Sequence, residues 1–241
     1  MIQDKIHQAL ARYEQEQGHR LEPVAVLFDM DGVLYDSMPA HERSWLETAQ
    51  HYGLPMTAED VYMFEGQTGS QTIDILIERR YGRRATAEEQ KAIYEQKTRL
   101  FNEYNTGALI PNVASVLAAV AHLDRIVVTG SSQGGLLDKL NDNFPNVFSR
   151  ERMVTGMDVN NGKPHPEPYQ RGMALANTKT YQSIAIENAP SGVRSAVTAG
   201  CFTIAVNTGP LPDAVLANEG AHLVFSDMSE LCQALPLILS V

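Results

Sequence analysis

Short apolar runs recur along this chain with helical sequence between them. Val24-Ala25-Val26-Leu27-Phe28, introduced by Pro23, is the first, and Arg125 to Thr129, Ser183 to Ile186, Phe202 to Val206 and Leu223 to Phe225 follow. Met153 to Thr155 is a further short candidate. Runs that are apolar without alternation suit strands buried on both faces, the condition of a parallel sheet. Val113 to His122, Gly134 to Asn141, Tyr169 to Ala176 and Pro190 to Ala199 are the helical segments between them. The last has Pro near its first turn and Gly200 just past its end, the usual start and stop punctuation. Strands alternating with helices predict an α/β fold, a doubly wound, Rossmann-like parallel sheet with helices on both faces.

From about Ser37 to Leu109 the rhythm stops. No clear strand occurs there, but His41 to Tyr52, Ser70 to Tyr81 and Ala87 to Tyr104 have helical patterns. The expected division is a core of residues 1–36 and 110–241 with an all-helical cap of residues 37–109 between its first two strands. An amphipathic helix, 2–17, with Ile2, Ile6, Leu10 and Tyr13 at helical spacing, is appended in front. An insert directly after strand one lies beside the sheet's carboxyl edge, where doubly wound folds bind ligands. It is placed to act as a lid.

Composition narrows the partners. The formal net charge is −10 over 241 residues, which repels nucleic acid unless basic residues gather locally. Arg79, Arg80, Arg83 and Arg84 form the densest basic stretch and read as a solvated helix face. No apolar run approaches the roughly 20 residues needed to cross a bilayer, and the polar N-terminus does not suggest secretion. Cys201 and Cys232 are too few for a disulfide framework or a cysteine metal cluster, so both read as buried thiols and the cytoplasm as the compartment. An acidic enzyme acting on an anion must neutralise it locally, and a metal ion is the usual means.

The first apolar run ends Phe28-Asp29-Met30-Asp31-Gly32-Val33. Residues i and i+2 of an extended chain project to one side, so Asp29 and Asp31 can face one site, and Gly32 permits a sharp departure there. Two carboxylates that close require a cation or a shared proton. Taken alone, the pair also suits a turn after a strand. The second run ends Thr129-Gly130-Ser131-Ser132, whose hydroxyls can donate to an anionic oxygen. In Gly162-Lys163-Pro164-His165-Pro166-Glu167-Pro168, prolines stiffen a loop in which Lys163 offers a fixed positive charge. Glu187 and Asn188 end another strand with hard oxygen ligands suited to magnesium. Polar groups at the ends of successive parallel strands converge on one sheet edge. A rival is the G-x-S-x-G elbow Gly130-Ser131-Ser132-Gln133-Gly134, with Ser132 as the nucleophile of an α/β-hydrolase and Asp213 and His222 following in the required order. That reading leaves Asp29, Asp31, Lys163 and Glu187 without a role.

In this order and spacing the segments resemble the haloacid dehalogenase-like superfamily, and within it the β-phosphoglucomutase-like branch with a helical cap, over nearly the whole chain after Glu22. The resemblance implies that Asp29 attacks phosphorus to form an aspartyl-phosphate. Asp31 would protonate the leaving oxygen and then activate the incoming nucleophile, while Thr129 and Lys163 complete the catalytic set. Magnesium would be held by the Asp29 carboxylate, the Asp31 backbone carbonyl and the pair Glu187 and Asn188. His41, Gly66, Gln67 and Ser131 would meet the substrate, a small phosphorylated metabolite, in a monomer or small homo-oligomer without nucleic acid or membrane.

Three departures bear on function. Asn188 stands where relatives commonly carry a second acidic residue, which predicts weaker magnesium binding. The arginine by which the resembling mutases grip the far phosphate of a sugar bisphosphate is replaced by Gly69. Ser132-Gln133 likewise occupies the place of a Lys-Asn pair that serves that phosphate. A mutase must hold both ends of a bisphosphate, so the sequence favours a phosphatase of sugar phosphates or similar small phosphomonoesters over a β-phosphoglucomutase. A fold member that binds without turnover is the remaining alternative.

Overall fold

A computed structural model describes residues 2–131 and 136–240. Helix α1 (Ile2–Gln17) precedes strand β1 (Ala25–Phe28), and four helices follow: α2 (Met38–Tyr52), α3 (Ala58–Met63), α4 (Gly69–Tyr81) and α5 (Ala87–Tyr104). The alternating part then runs α6 (Val113–Ala119), β2 (Asp124–Val128), α7 (Leu136–Asn143), β3 (Met153–Val154), α8 (Glu167–Leu175) and β4 (Ser183–Glu187). It ends α9 (Pro190–Thr198), β5 (Phe202–Val206), α10 (Asp213–Asn218), β6 (Leu223–Phe225) and α11 (Met228–Leu239). All strand pairings are parallel, in the order β3-β2-β1-β4-β5-β6.

That order places β1 at the centre, between β2 and β4, with Phe28 level with Val127 on one side and Ile186 on the other. The chain direction of strand addition reverses there, and the carboxyl ends of β1, β2 and β4 open onto one crevice. Each strand buries both faces. Val26 and Phe28 join a cluster with α1, α6 and α11, whereas Ala25 and Leu27 pack with Tyr169 and Met173 of α8 and Ala196 of α9. The period of two decides which side each residue serves. On α1, Ile6, Ala9 and Tyr13 form the buried stripe, and the Tyr13 hydroxyl donates to the Gly200 carbonyl at 2.9 Å.

Helices α2 to α5 have a cluster of their own, built on Trp45, Ile73, Leu76, Ile77 and Ile93 and joined by Leu211. Full burial of one such side chain contributes about 1.5–3 kcal/mol. Capping boxes start three of these helices: Thr57 with Asp60, Thr68 with Gln71 and Thr86 with Glu89. Two elements do not follow from hydrophobic periodicity. Helix α3 has six residues of which only Val61 and Tyr62 are buried, and α11 carries Pro236 in its interior, a residue that reads as a break. Among the described residues no helix is long and apolar enough to cross a membrane.

Candidate active site

Asp29 extends the ladder one step past β1, its N–H donating to the Ile186 carbonyl at 3.0 Å. The backbone then turns away at Gly32, whose φ is +78°. A Cβ there would lie 2.0 Å from Asn188 Nδ2, so both backbone conformation and space demand glycine. Asp29, buried at the end of β1, meets Lys163: Nζ donates to Asp29 Oδ1 at 2.5 Å, to Glu187 Oε1 at 2.6 Å and to the Val128 carbonyl at 3.0 Å. Lys163 is itself 1% exposed, so its three donors are fully committed inside the protein. Tyr169 Oη donates to the same Glu187 Oε1 at 2.6 Å, and Glu187 Oε2 accepts from the Asn188 N–H at 3.1 Å. The first turn of α9 closes over this carboxylate; a Cβ on Gly192 would fall 2.0 Å from Glu187 Oε1.

A second chain of contacts starts at Asp31. Its Oδ1 accepts from Ser37 Oγ at 2.5 Å, and His41 Nε2 stands 3.4 Å away, close but not aligned as a hydrogen bond. On the other side of the ring, Lys97 Nζ meets His41 Nδ1 at 2.9 Å. An ammonium can only donate, which makes Nδ1 the acceptor and leaves the ring proton on Nε2, facing Asp31. Lys97 is 4% exposed and lies 4.6 Å from the ring centroid of Phe101. Burial lowers its ammonium to about 8, and the Asp31 charge opposes that fall. Burial and Lys97 together lower His41, which favours the neutral ring. Burial pushes Asp31 up, but His41, Ser37 and Lys97 more than offset it and hold the carboxyl below the usual range.

The turn between α3 and α4 brings a third carboxylate. Glu65 Oε1 accepts from Asn188 Nδ2 at 2.9 Å, and the Glu65 carbonyl accepts from Ser191 Oγ. This fixes the orientation of the Asn188 amide, and its buried Oδ1 is left without a partner. Burial and the charge of Asp29 push Glu65 well above the carboxylate range. Asp29 is likewise pushed up by burial, with Glu187 and Asp31 adding to the effect and Lys163 opposing it. Among the described residues no cluster of three or more acidic, His or Cys side chains is arranged to hold a metal ion, but the crowded carboxyls and the unpartnered amide oxygen are oxygen donors of the kind a hard divalent cation prefers.

The turn seats itself on glycines. A Cβ on Gly66, whose φ is +81°, would meet Ser191 Oγ at 2.9 Å, and one on Gly130 would meet the Gly66 carbonyl oxygen at 2.8 Å. One on Gly162 would lie 2.8 Å from Thr68 Cγ2. Between turn and sheet edge lies a cavity of ≈ 80 Å³ that reaches from Asp29, Asp31, Thr129 and Ser131 to Met38, Trp45, Phe64, Tyr94 and Lys97.

Asp29, Asp31, Thr129, Ser131, His41, Gly66 and Gln67 all border that cavity, while Lys163, Glu187 and Asn188 stand behind Asp29. Thr129 Oγ1 already accepts from the Ser131 N–H at 3.0 Å. His41, expected against substrate, borders the cavity and also meets Lys97 and lies against Asp31. Glu187, expected on the metal, has both oxygens in use within the protein. Glu65, Ser37, Lys97 and Tyr169 were not anticipated. Lys97 had a signal: it falls with Ile93, Leu100 and Phe101 on the buried stripe of α5, where a solvated lysine does not belong. For the hydrolase alternative, Ser132 lies outside the described residues. His222 Nδ1 accepts from the Thr203 N–H and its Nε2 faces Glu16, whereas Asp213 accepts from Asn207, so those two residues do not pair.

Comparison with known proteins bears on the same residues. The model of the family described as haloacid dehalogenase-like hydrolase matches residues 26–206. The chain is 32% identical over 188 residues to hexitol phosphatase A of Escherichia coli (strain K12), covering 75% of this chain and 82% of that protein. Pyrophosphatase PpaX of Bacillus cereus (strain B4264) is 30% identical over 193 residues, with 76% and 82% covered. Among solved structures, "Putative beta-phosphoglucomutase from Bacteroides vulgatus" superimposes with a TM-score of 0.94 at 45% identity, covering 98% of both chains.

Proposed function

The chain belongs to the haloacid dehalogenase-like hydrolase family, and from that premise we propose that it is a magnesium-dependent phosphatase in which Asp29 accepts the phosphoryl group and water removes it. The observation that carries the reading is the position of Asp29, at the floor of the cavity, with Lys163 on one side and Asp31 on the other.

A carboxylate oxygen of Asp29 bonds to phosphorus while the bond from phosphorus to the leaving oxygen breaks. Asp31 gives that oxygen a proton. A phosphate anion beside Asp31 opposes the lowering by His41, Ser37 and Lys97 and raises the carboxyl toward the protonated form this step needs. The resulting Asp31 carboxylate then takes a proton from water, whose oxygen attacks the phosphorus, and free phosphate leaves as Asp29 is restored. A placed acid and base of this kind contributes about 10²–10⁴-fold. His41 and Lys97 hold Asp31 in place and set its charge. Lys163 fixes Asp29, and Glu187, tied by Tyr169, fixes Lys163. The Asp29 carboxylate, the Asp31 carbonyl and Asn188 Oδ1 would hold magnesium, and Glu65, pushed above the carboxylate range without a cation, would ionise beside a bound one and supply from the insert the negative charge that Asn188 lacks. When bound, the ion supplies the positive charge that offsets repulsion between a carboxylate and a phosphate. We further take residues 37–109 as a cap whose closure excludes bulk water.

Water is the acceptor in this reading because position 69 holds no arginine to retain a second phosphate. The name hexitol phosphatase A suggests sugar phosphates as the substrate class. A second reading is inorganic diphosphate. The cramped cavity of ≈ 80 Å³ and the name of the PpaX relative favour it. The test is a panel of sugar phosphates, p-nitrophenyl phosphate and inorganic diphosphate with Mg²⁺, scored for free phosphate and for isomerised hexose phosphate. Free phosphate is expected, with label trapped on the protein after acid quench and absent in Asp29→Asn. An active Asp29→Asn protein, or isomerised product as the main outcome, would overturn it.

A further inference from the structure

Gly69 opens α4 and Tyr94 lies on α5, and both border the cavity over Asp29. A Cβ built on Gly69 would lie 2.4 Å from both Cδ2 and Cε2 of Tyr94. Real Cβ atoms do not approach a ring so closely, so no side chain fits at position 69 while Tyr94 stands where it does. The two positions exclude each other. Either residue 69 sends a side chain into the cavity, or the aromatic ring of residue 94 fills that space.

The surroundings show what the ring closes off. Beside it the same cavity is walled by Met38, Trp45, Met56, Val61 and Phe64, none of which carries a charge to hold a distant phosphate. Lys97 lies three residues from Tyr94 on the same face of α5, borders the cavity and meets His41 beside Asp31. The charge of Asp31 reaches the Tyr94 hydroxyl, which burial already pushes upward.

We propose that Tyr94, seated against Gly69, sets substrate length: its ring is the back wall of the cavity, and the leaving group must end between Asp29 and that ring. In a cavity of ≈ 80 Å³ this limit favours a phosphate-sized leaving group over a hexose. The proposal rests on Asp29 as phosphoryl acceptor and selects the compact end of the substrate range given for that reading.

The experiment measures kcat/KM for inorganic diphosphate and for glucose 6-phosphate in Mg²⁺, using wild type, Tyr94→Ala, Tyr94→Phe, Gly69→Ala and the double variant Gly69→Ala/Tyr94→Ala. Wild type is expected to favour diphosphate. Tyr94→Ala should move the ratio toward glucose 6-phosphate by about tenfold or more, the scale on which pocket size discriminates. Tyr94→Phe, which keeps the ring, should keep the wild-type ratio. Gly69→Ala should lose activity on both substrates, and the double variant should recover it. Tyr94→Leu takes the place of the alanine variant if that protein does not fold. An unchanged ratio in Tyr94→Ala, or an equal shift in Tyr94→Phe, would overturn the role of the ring. If wild type turned over neither substrate and no phosphate could be trapped on Asp29, the functional reading itself would fail, and this proposal with it.

Discussion

At the scale of single residues, the site is a set of charges that cannot be altered one at a time. Lys163 is the sole ammonium in contact with Asp29 and Glu187 among the described residues, and all three are buried. Lys163→Met leaves two buried carboxylates uncompensated, and we expect a loss of roughly 3–5 kcal/mol of stability in metal-free protein near neutral pH. Urea denaturation measures this, and the deficit should shrink at low pH, where protonation removes the stranded charge. Equal midpoints for variant and wild type would refute it. Lys97 governs a pH dependence instead. Burial lowers its ammonium to about 8, so above about pH 8 the cavity loses the positive charge beside His41 and Asp31. The pH profile of kcat/KM should fall on that side, and Lys97→Arg, which keeps its charge, should carry the fall to higher pH. A descending limb that does not move in the arginine variant would separate Lys97 from it.

At the scale of elements, one short turn between α3 and α4 does most to close the site, and it does so through glycines on both sides of the seam. Gly130 has an ordinary φ, so its reason lies in space alone: the Gly66 carbonyl oxygen would stand 2.8 Å from a Cβ there. The obstacle is backbone, which cannot swing aside as a side chain would. Gly130→Ala should hold the turn away from Asp29 and reduce kcat/KM by about tenfold to a hundredfold, the usual cost of a misplacement near 1 Å. Thermal melting should change little, because the hydrophobic clusters on either side are untouched. A fully active alanine variant would mean that the seam need not close. Helix α5 contributes differently. Its stripe packs the insert through Ile93 and Leu100 and, on that same face, delivers Tyr94 and Lys97 to the site.

At the scale of the whole molecule, the proposed magnesium site would draw on both the insert and the sheet. Asn188, from the end of β4, contributes an oxygen without charge, and Glu65 arrives from a segment 123 residues away to hold its amide at 2.9 Å. Sequence alone predicts weak magnesium binding because it sees only Asn188. In the reading proposed above, Glu65 would bring across the seam the carboxylate that Asn188 lacks, once a bound cation favours its ionised form. Glu65→Gln should therefore raise the magnesium concentration for half-maximal activity, and direct titration by calorimetry should show the same weakening. Asn188→Asp alone, which sets a second carboxylate against Glu65 and removes the amide donor, should gain less than the same change made in Glu65→Gln. Equal magnesium affinity in wild type and Glu65→Gln would show that the insert takes no part in holding the ion.

The fold and the carboxylates at its centre were legible in the chain because they depend on local regularities. Uninterrupted apolar runs specify strands buried on both faces, and a parallel sheet brings the ends of successive strands to one edge, so Asp29, Asp31, Thr129 and Glu187 could be grouped from position, with Lys163 from its proline-rich loop, while their expected roles came from the family resemblance. Glu65, Lys97, Ser37 and Tyr169 could not be assigned in this way, because each acquires its role from a partner far off in sequence. A glutamate in a turn and a lysine in a helix look like solvated charges until packing removes the water. Tertiary structure alone decided which charges were buried together, and in a medium of low dielectric that choice sets both the chemistry of the site and the size of what can enter it.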